Sequence, residues 1–287
     1  MDYFNSLTNA INYIEDNLDS NLDIDEIAKQ SGFSSFYFQR IFSVLCGYSV
    51  GQYIRNRRLT AAAADLKNKS TKIIDIALKY GYESPESFTR AFVKFHGITP
   101  SEARKSHSPL KSFSRLYVEI HLKGGSVMNY KIVKKESFKV LEKVSTQDIN
   151  DDENKNTIPA FWDECHKDGT VAKLLSLAKN RAFIFGICYG GDLTDKKTFD
   201  YSIAAMCSDD VEIPNGFRVN EIPARTWAVF ESNGPMPHAI QETWHKICAE
   251  FFPNSNYEPT YEMDIEAYTA GDMTAPDYKS EIWVPIK

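Results

Sequence analysis

Gln39 with Arg40, and Glu86 with Arg90, carry the chemistry that reads the edges of base pairs. An arginine fork suits the O6 and N7 acceptors of guanine, a glutamine amide suits adenine, and a carboxylate accepts from cytosine N4. Far downstream, Glu281 stands two residues from Trp283 in a stretch that reads as a strand, so the two share one face. A carboxylate beside a large aromatic ring attracts a cationic or aromatic ligand through charge and cation–π attraction. The alternative for Glu281 is an exposed glutamate at a sheet edge.

The base-reading candidates lie in a segment that repeats. DEIAKQSGF at 25–33 returns as DIALKYGY at 75–82, and FQRIF at 38–42 returns as FTRAF at 88–92, a period of about fifty residues. Each unit is too short for its own core, so two packed together form one module. Within each copy the apolar positions fall at helical spacing on both sides of a glycine. Asp23 is placed to cap the first helix with Glu26 completing a capping box, and Gly32 supplies a left-handed residue at its end. Ser34 opens the next helix, whose apolar stripe is Phe38, Ile41, Phe42 and Leu45, and the remaining face carries Phe36, Gln39, Arg40 and Ser43. In the second copy Ser84 caps, Pro85 takes the first helical position, and Glu86, Ser87, Arg90 and Lys94 occupy the free face.

A helix, a glycine turn and a helix with outward arginine and amide groups form a helix-turn-helix. A small bundle with merely solvated arginines is the alternative, and the duplication argues against it. Between the copies, VGQYIRNRRLTAAAADL favours a stiff helix whose Arg55, Arg57 and Arg58 are suited to phosphates. Two recognition helices on such a spacer would enter successive major grooves, about 34 Å apart, without dimerisation.

Residues from about 7 to 104 resemble the tandem helix-turn-helix domain of AraC-family transcription factors, through SFYFQRIF, IRNRRL and DIALKYGYESPESFTRAFVKFHGITPSEAR. The resemblance implies seven helices in two subdomains joined by a long helix, binding asymmetric promoter DNA. Carried over by position, it assigns base-proximal roles to Ser35, Phe36, Gln39 and Arg40 in the first copy and to Glu86, Ser87, Thr89 and Arg90 in the second. Phe36 and Glu86 replace a tryptophan and a glutamine common among relatives, which leaves an apolar surface for a thymine methyl and an acceptor for cytosine. The operator is therefore not transferable from those relatives.

The net charge of −6 divides unevenly: residues 1–127 hold 16 Lys and Arg against 13 Asp and Glu, and residues 128–287 hold 17 against 26. DNA affinity must then rest on where Arg40, Arg55, Arg58, Arg90 and Lys94 sit, and it should depend strongly on salt. No apolar run is long enough to span a bilayer, and the N-terminal stretch reads as an amphipathic helix rather than a signal, so a cytoplasmic location without membrane association is expected. The five cysteines are scattered without metal-ligand spacing and read as core thiols, with a redox or metal sensor as the minor alternative; no cofactor is implied.

The expected organisation is multidomain α and α+β: an all-α DNA-binding domain over 1–107, a linker over 108–127 and an α+β domain over 128–287. SHSPLKSFSR and Gly124-Gly125 suggest the linker, and residues 116–122 read either as a strand or as an ordered connector. After Met128 two strands, a helix over 158–178 and two strands are followed by the same order again, which predicts a curved antiparallel sheet with a helix on each half and a cleft between them. The acidic stretch DINDDENKNT reads as a solvated loop.

ARTWAVFESNGP and EMDIEAYTAGDMTAPDYKSEIWVPI make this second half similar to GyrI-like effector-binding domains, which also occur fused to AraC-type domains in Rob-like regulators. That resemblance implies a small-molecule site in which Glu281 meets the ligand's positive charge. Trp162, Tyr201, Trp227, Tyr268 and Trp283 are the candidates for its aromatic wall. It also leaves room for a hydrolase in which Glu281 works with Tyr201 or Tyr268. There is no GxSxG, HExxH or phosphate-binding glycine loop to support catalysis, so no catalytic residue is assigned. The chain is expected to be a regulator, an activator by resemblance, sensing a cationic or aromatic molecule. A domain that binds another protein, RNA polymerase among the choices, is the remaining alternative.

Overall fold

The computed structural model describes residues 3–68, 70–105, 109–118, 127–148, 154–190, 198–260 and 262–287. It divides into two compact units, Met1–Phe38 with Tyr48–His121, and Gln39–Gly47 with Leu122–Lys287. Part of the expected linker, including Gly124-Gly125, and residues 149–153 of the acidic stretch lie outside the described residues; the rest of that stretch is not the expected loop, because Asp148 ends a strand and 154–157 open a helix.

Among the described residues before 106, the regular structure is seven helices: α1 (Tyr3–Asp16), α2 (Ile24–Ser31), α3 (Ser35–Cys46), α4 (Val50–Asp65), α5 (Ile73–Lys79), α6 (Pro85–His96) and α7 (Pro100–Lys105). Asp23 caps α2 by accepting from the Asp25 amide, and Gly32 follows in the left-handed region at φ 71°. Glu26 does not close a capping box; it pairs with Lys29 one turn on, where a local charge partner is nearer than the cap. Ser84 caps α6 through the Ser87 amide, with Pro85 at its first turn. In the second copy the core is built from Leu59, Ala62 and Ala63 of α4, with Leu66 just after it, against Ile76, Ala77, Phe88 and Phe92. The alanine run lets α5 and α6 lie close to the long helix, with little side-chain ordering to offset burial of the phenylalanines.

Residues 109–118 form neither helix nor strand, and they are tied to α4. The Phe113 amide donates to Thr60 Oγ1, the Leu116 amide to the Tyr53 hydroxyl, and Phe113 packs between Tyr48 and Tyr53. Of the two readings of 116–122, the described part is an ordered connector.

The second unit carries β1 (Tyr130–Lys135), β2 (Phe138–Asp148), β3 (Ile184–Tyr189), β4 (Thr198–Met206), β5 (Arg218–Ile222), β6 (Arg225–Asn233), β7 (Met263–Tyr268) and β8 (Lys279–Ile286). They form one antiparallel sheet in the order β1-β6-β8-β7-β3-β4-β2-β5. The repeat is visible in this order: β3-β4-β2 mirrors β7-β8-β6 about the β3–β7 junction, and each half takes its edge strand from the chain that leads into the other half. The helix expected over 158–178 is two, α8 (Asn154–Lys167) and α9 (Thr170–Leu177), because Gly169 turns the backbone at φ 83° between them. In the second half α10 (His238–Lys246) runs on through a π-helical turn, Ile247–Phe251.

Candidate functional site

Strand pairing fixes which side chains of the second unit can meet. Residues directly opposite each other in an antiparallel pair project to the same face, and neighbours along a strand alternate. Ala267 lies opposite Glu281, and Ile265 opposite Trp283. Glu281 and Trp283 therefore share a face with Ile265 and Ala267, while Asp264, Glu266 and Tyr268 project from the other. Asp264 and Glu266 lie opposite Cys188 and Gly186, and Cys188 lies opposite Tyr201, so Tyr201 joins the face of Glu266.

On that face two helices complete a polar cluster set in aromatic rings. Trp162 of α8 donates its indole N–H to the Tyr201 hydroxyl at 2.8 Å and meets the Tyr268 ring edge-on at 5.3 Å. Trp244 of α10 donates to Glu266 at 2.7 Å, and the Tyr268 hydroxyl donates to the same carboxylate at 2.7 Å. Gly186 lies under the Tyr201 hydroxyl, which approaches so closely that any Cβ there would collide with it. Burial holds the Tyr201 and Tyr268 hydroxyls well above their usual pKa, with the Glu266 charge adding to both, so both stay protonated, Tyr268 donating to Glu266 and Tyr201 accepting from Trp162.

The second unit also contains the cation of this cluster. Arg40, in Gln39–Gly47, places its guanidinium 2.8 Å from Asp264, 4.0 Å from Glu266 and 4.3 Å from the centre of the Trp244 ring, with Cys188 Sγ at 3.9 Å. Burial works against the Arg40 charge and is the largest single influence, but Asp264 together with Glu266 and the neighbouring Cys188 and Cys248 outweighs it and holds the guanidinium protonated. Burial pushes Asp264 up to about 7, Arg40 pulling it down and Glu266 adding to the rise. Arg40 Nε is buried without a hydrogen-bond partner. The arrangement binds a flat cation against an indole face with two carboxylates, and leaves one donor unsatisfied.

The opposite face is organised differently. Trp283 is packed among Trp227, Phe183 and Phe185, with Lys135 Nζ over its ring at 4.3 Å. Glu281 accepts from the Trp283 indole at 2.7 Å and pairs with Lys131 at 2.9 Å. The six expected ligand residues thus do not form one site. Trp162, Tyr201 and Tyr268 gather around Glu266, whereas Glu281, Trp227 and Trp283 lie on the far side of the sheet, Trp227 as fully buried core. Asp264, Glu266 and Trp244 join this cluster without being among the expected residues; the available signal for the acids is EMDIEAY, in which Asp264 and Glu266 alternate with Ile265 and Ala267.

Two shallow depressions lie elsewhere on this unit. One of about 480 Å³ runs along α8 past Asp163 and Lys167, and one of about 200 Å³ lies beside Tyr130, Lys131 and Glu231. Neither reaches the aromatic cluster.

Among the DNA candidates, Glu86, Arg90 and Lys94 are exposed on α6, with Ser87 and Thr89 partly exposed. Ser87 returns its hydroxyl to the Ser84 carbonyl at 2.8 Å. Arg55 is exposed on α4. Phe36, expected on an open face, is only 7% exposed, and Ser35 hydrogen-bonds Asp25; Gln39 is half-buried. Arg57 and Arg58 differ from the phosphate-contact expectation because their donors are used internally. Arg57 forks onto Glu15 and donates to the Phe113 carbonyl, and Arg58 donates to the Leu18 and Ser20 carbonyls while lying against Gly81.

A duplicated sheet with helices on one face, carrying acids among aromatic rings, and a tandem helix-turn-helix define a DNA-binding regulator with an effector-binding domain. Residues 131–286, more than half of the chain, match the family of integron-associated effector-binding proteins, Cass2, and residues 27–106 match a helix-turn-helix domain family. The chain belongs to the Cass2, or GyrI-like, effector-binding family, joined here to an AraC-type DNA-binding domain. The TetD protein of transposon Tn10 from Escherichia coli is 44% identical over 94 residues, 33% of this chain and 68% of that protein. The multiple antibiotic resistance protein MarA of Escherichia coli K12 is 35% identical over 102 residues, 36% of this chain and 80% of that protein. For the other half, the structure of SAV2435 bound to tetraphenylphosphonium matches with a TM-score of 0.50 at 25% identity, covering 56% of this chain and 94% of that one. No helix among the described residues is long and apolar enough to cross a membrane.

Proposed function

We propose that this chain is a transcription activator that answers to a lipophilic cation, and that the cation is held on the Glu266 face of the second unit. The observation that carries the reading is Glu266 itself, which is held by the Trp244 indole and the Tyr268 hydroxyl, with Asp264 two residues away on the same face. A partly buried carboxylate in an aromatic surround favours an organic cation over a hydrated ion, because rings replace the water a small ion would have to shed. Tetraphenylphosphonium, bound by SAV2435, has that chemistry. The activator reading takes its support from AarP of Providencia stuartii, an HTH-type transcriptional activator; in this reading the protein acts on promoter DNA in the cytoplasm, with RNA polymerase as a further partner.

On the DNA side, Arg90 and Glu86 read bases from α6, Lys94 and Arg55 meet phosphates, and Gln39 and Arg40 read from α3 when Arg40 is free. Calorimetry of tetraphenylphosphonium against the full chain and its Glu266→Gln and Glu281→Gln variants tests the effector reading. Binding lost in Glu266→Gln and kept in Glu281→Gln supports it. Binding lost only in Glu281→Gln moves the site to the Trp283 face, and no binding to either the wild type or folded Arg40→Gln sinks the cationic-effector reading. Release of product from a reactive ester or epoxide would instead favour acid–base chemistry by the Glu266–Tyr268 pair.

A further inference from the structure

Arg40 is both the arginine whose position in the repeat suits base reading and the cation seated against Asp264, Glu266 and Trp244 in the second unit. We propose that Arg40 is a tethered occupant of the cation site, so that an effector cation and the Arg40 guanidinium exclude one another and effector binding releases Arg40 to DNA. This rests on the Glu266 face being the effector site.

Three features support an exchangeable occupant. The first is chemical equivalence: a guanidinium over an indole with a carboxylate at 2.8 Å is what an organic cation would make of the same groups. The second is imperfect satisfaction. Arg40 Nε is buried without an acceptor and Glu266 is at 4.0 Å, beyond hydrogen-bond length, so the seat fits the arginine incompletely. The third is that Glu266 is already held by Trp244 and Tyr268, so its charge stays in place when Arg40 leaves.

A ligand shifts a two-state equilibrium only by its differential affinity, and here the difference is complete, because one slot cannot hold two cations. The same linkage requires DNA that engages Arg40 to raise effector affinity by the factor with which effector raises DNA affinity.

The test uses the full chain, tetraphenylphosphonium and a duplex recovered by selection from a random-sequence pool. Arg40→Gln, which keeps length and loses the cation, should bind tetraphenylphosphonium at least tenfold more tightly than wild type without DNA. Saturating tetraphenylphosphonium should raise wild-type affinity for the duplex at least fivefold, and should leave the affinity of Arg40→Gln unchanged. Asp264→Asn should bind the duplex more tightly than wild type before any cation is added, which gives a second reading if Arg40→Gln folds poorly. Equal or weaker cation binding by folded Arg40→Gln overturns mutual exclusion while leaving the effector site intact. Cation binding without any change in wild-type DNA affinity overturns the release to DNA. Absence of cation binding in both wild type and folded Arg40→Gln overturns the effector reading and this inference with it.

Discussion

Gly186 lies directly opposite Glu266 across the β3–β7 junction, and its bare Cα is what admits the Tyr201 hydroxyl to the Glu266 face. A methyl group at 186 would strike that hydroxyl, and Trp162, which donates to Tyr201, would have to move with it. Gly186→Ala is expected to cost about 1–3 kcal/mol by overpacking. It should also weaken tetraphenylphosphonium binding more than a matched substitution on the Trp283 face. Thermal unfolding and calorimetry together check this; an unchanged melting temperature with unchanged affinity would remove Gly186 from the site.

The arginines divide by task. Arg90→Ala is expected to cost about 1–3 kcal/mol of DNA affinity and to relax base preference locally, since its side chain is exposed on α6. Arg58→Ala removes a charged donor shared by two backbone carbonyls and should lower stability by about 2 kcal/mol. Denaturant melts and selection on a duplex pool separate the two effects, and loss of base preference in folded Arg58→Ala would contradict the assignment.

Asp264 and Glu15 give opposite pH signatures. Burial raises Asp264 to about 7, with Arg40 lowering it and Glu266 raising it, and Cys188 and Cys248 lie nearby as neutral thiols whose pKa burial pushes up. Its unfolded value is about 3.9, so its contribution to stability is full below about pH 4 and lost as pH rises through 7. Asp264→Asn should flatten the dependence of melting temperature on pH between 5 and 7; a parallel curve would refute the raised value.

Glu15 is buried, which alone would raise it, but hydrogen bonds from Arg57 and Tyr53 leave its carboxyl below the usual range. Its contribution is present above the unfolded pKa of about 4.3 and is lost as pH falls through the lowered folded value. Glu15→Gln should cost about 3 kcal/mol at neutral pH, because Arg57 is only 18% exposed and loses its partner. The deficit should shrink toward pH 3, and a constant deficit would assign the loss to packing.

The legible parts of the molecule were those governed by local spacing. The two helix-turn-helix copies follow from 3.6-residue periodicity interrupted at Gly32 and Gly81, and the strand at 279–286 follows from alternation. The break at Gly169 was read through, because the apolar period continues across it and the positive φ is a backbone property. Local pattern does not distinguish Glu266 from Glu281, because both stand on strands among aromatics. The face of each depends on pairing between β3 and β7, about eighty residues apart, and no local pattern encodes it. Arg40's seat is likewise a long-range contact of a residue whose local spacing points to DNA.

The exchange of edge strands leaves neither half of the sheet able to stand alone. β1 leads into β2 but bonds β6, and β5 leads into β6 but bonds β2. One half by itself would have a leading strand with no mate, and two copies trading those strands would close the same order of eight. The peptide that joins the halves therefore converts a concentration-dependent assembly into a single-chain one, in which the β3–β7 junction forms at any dilution.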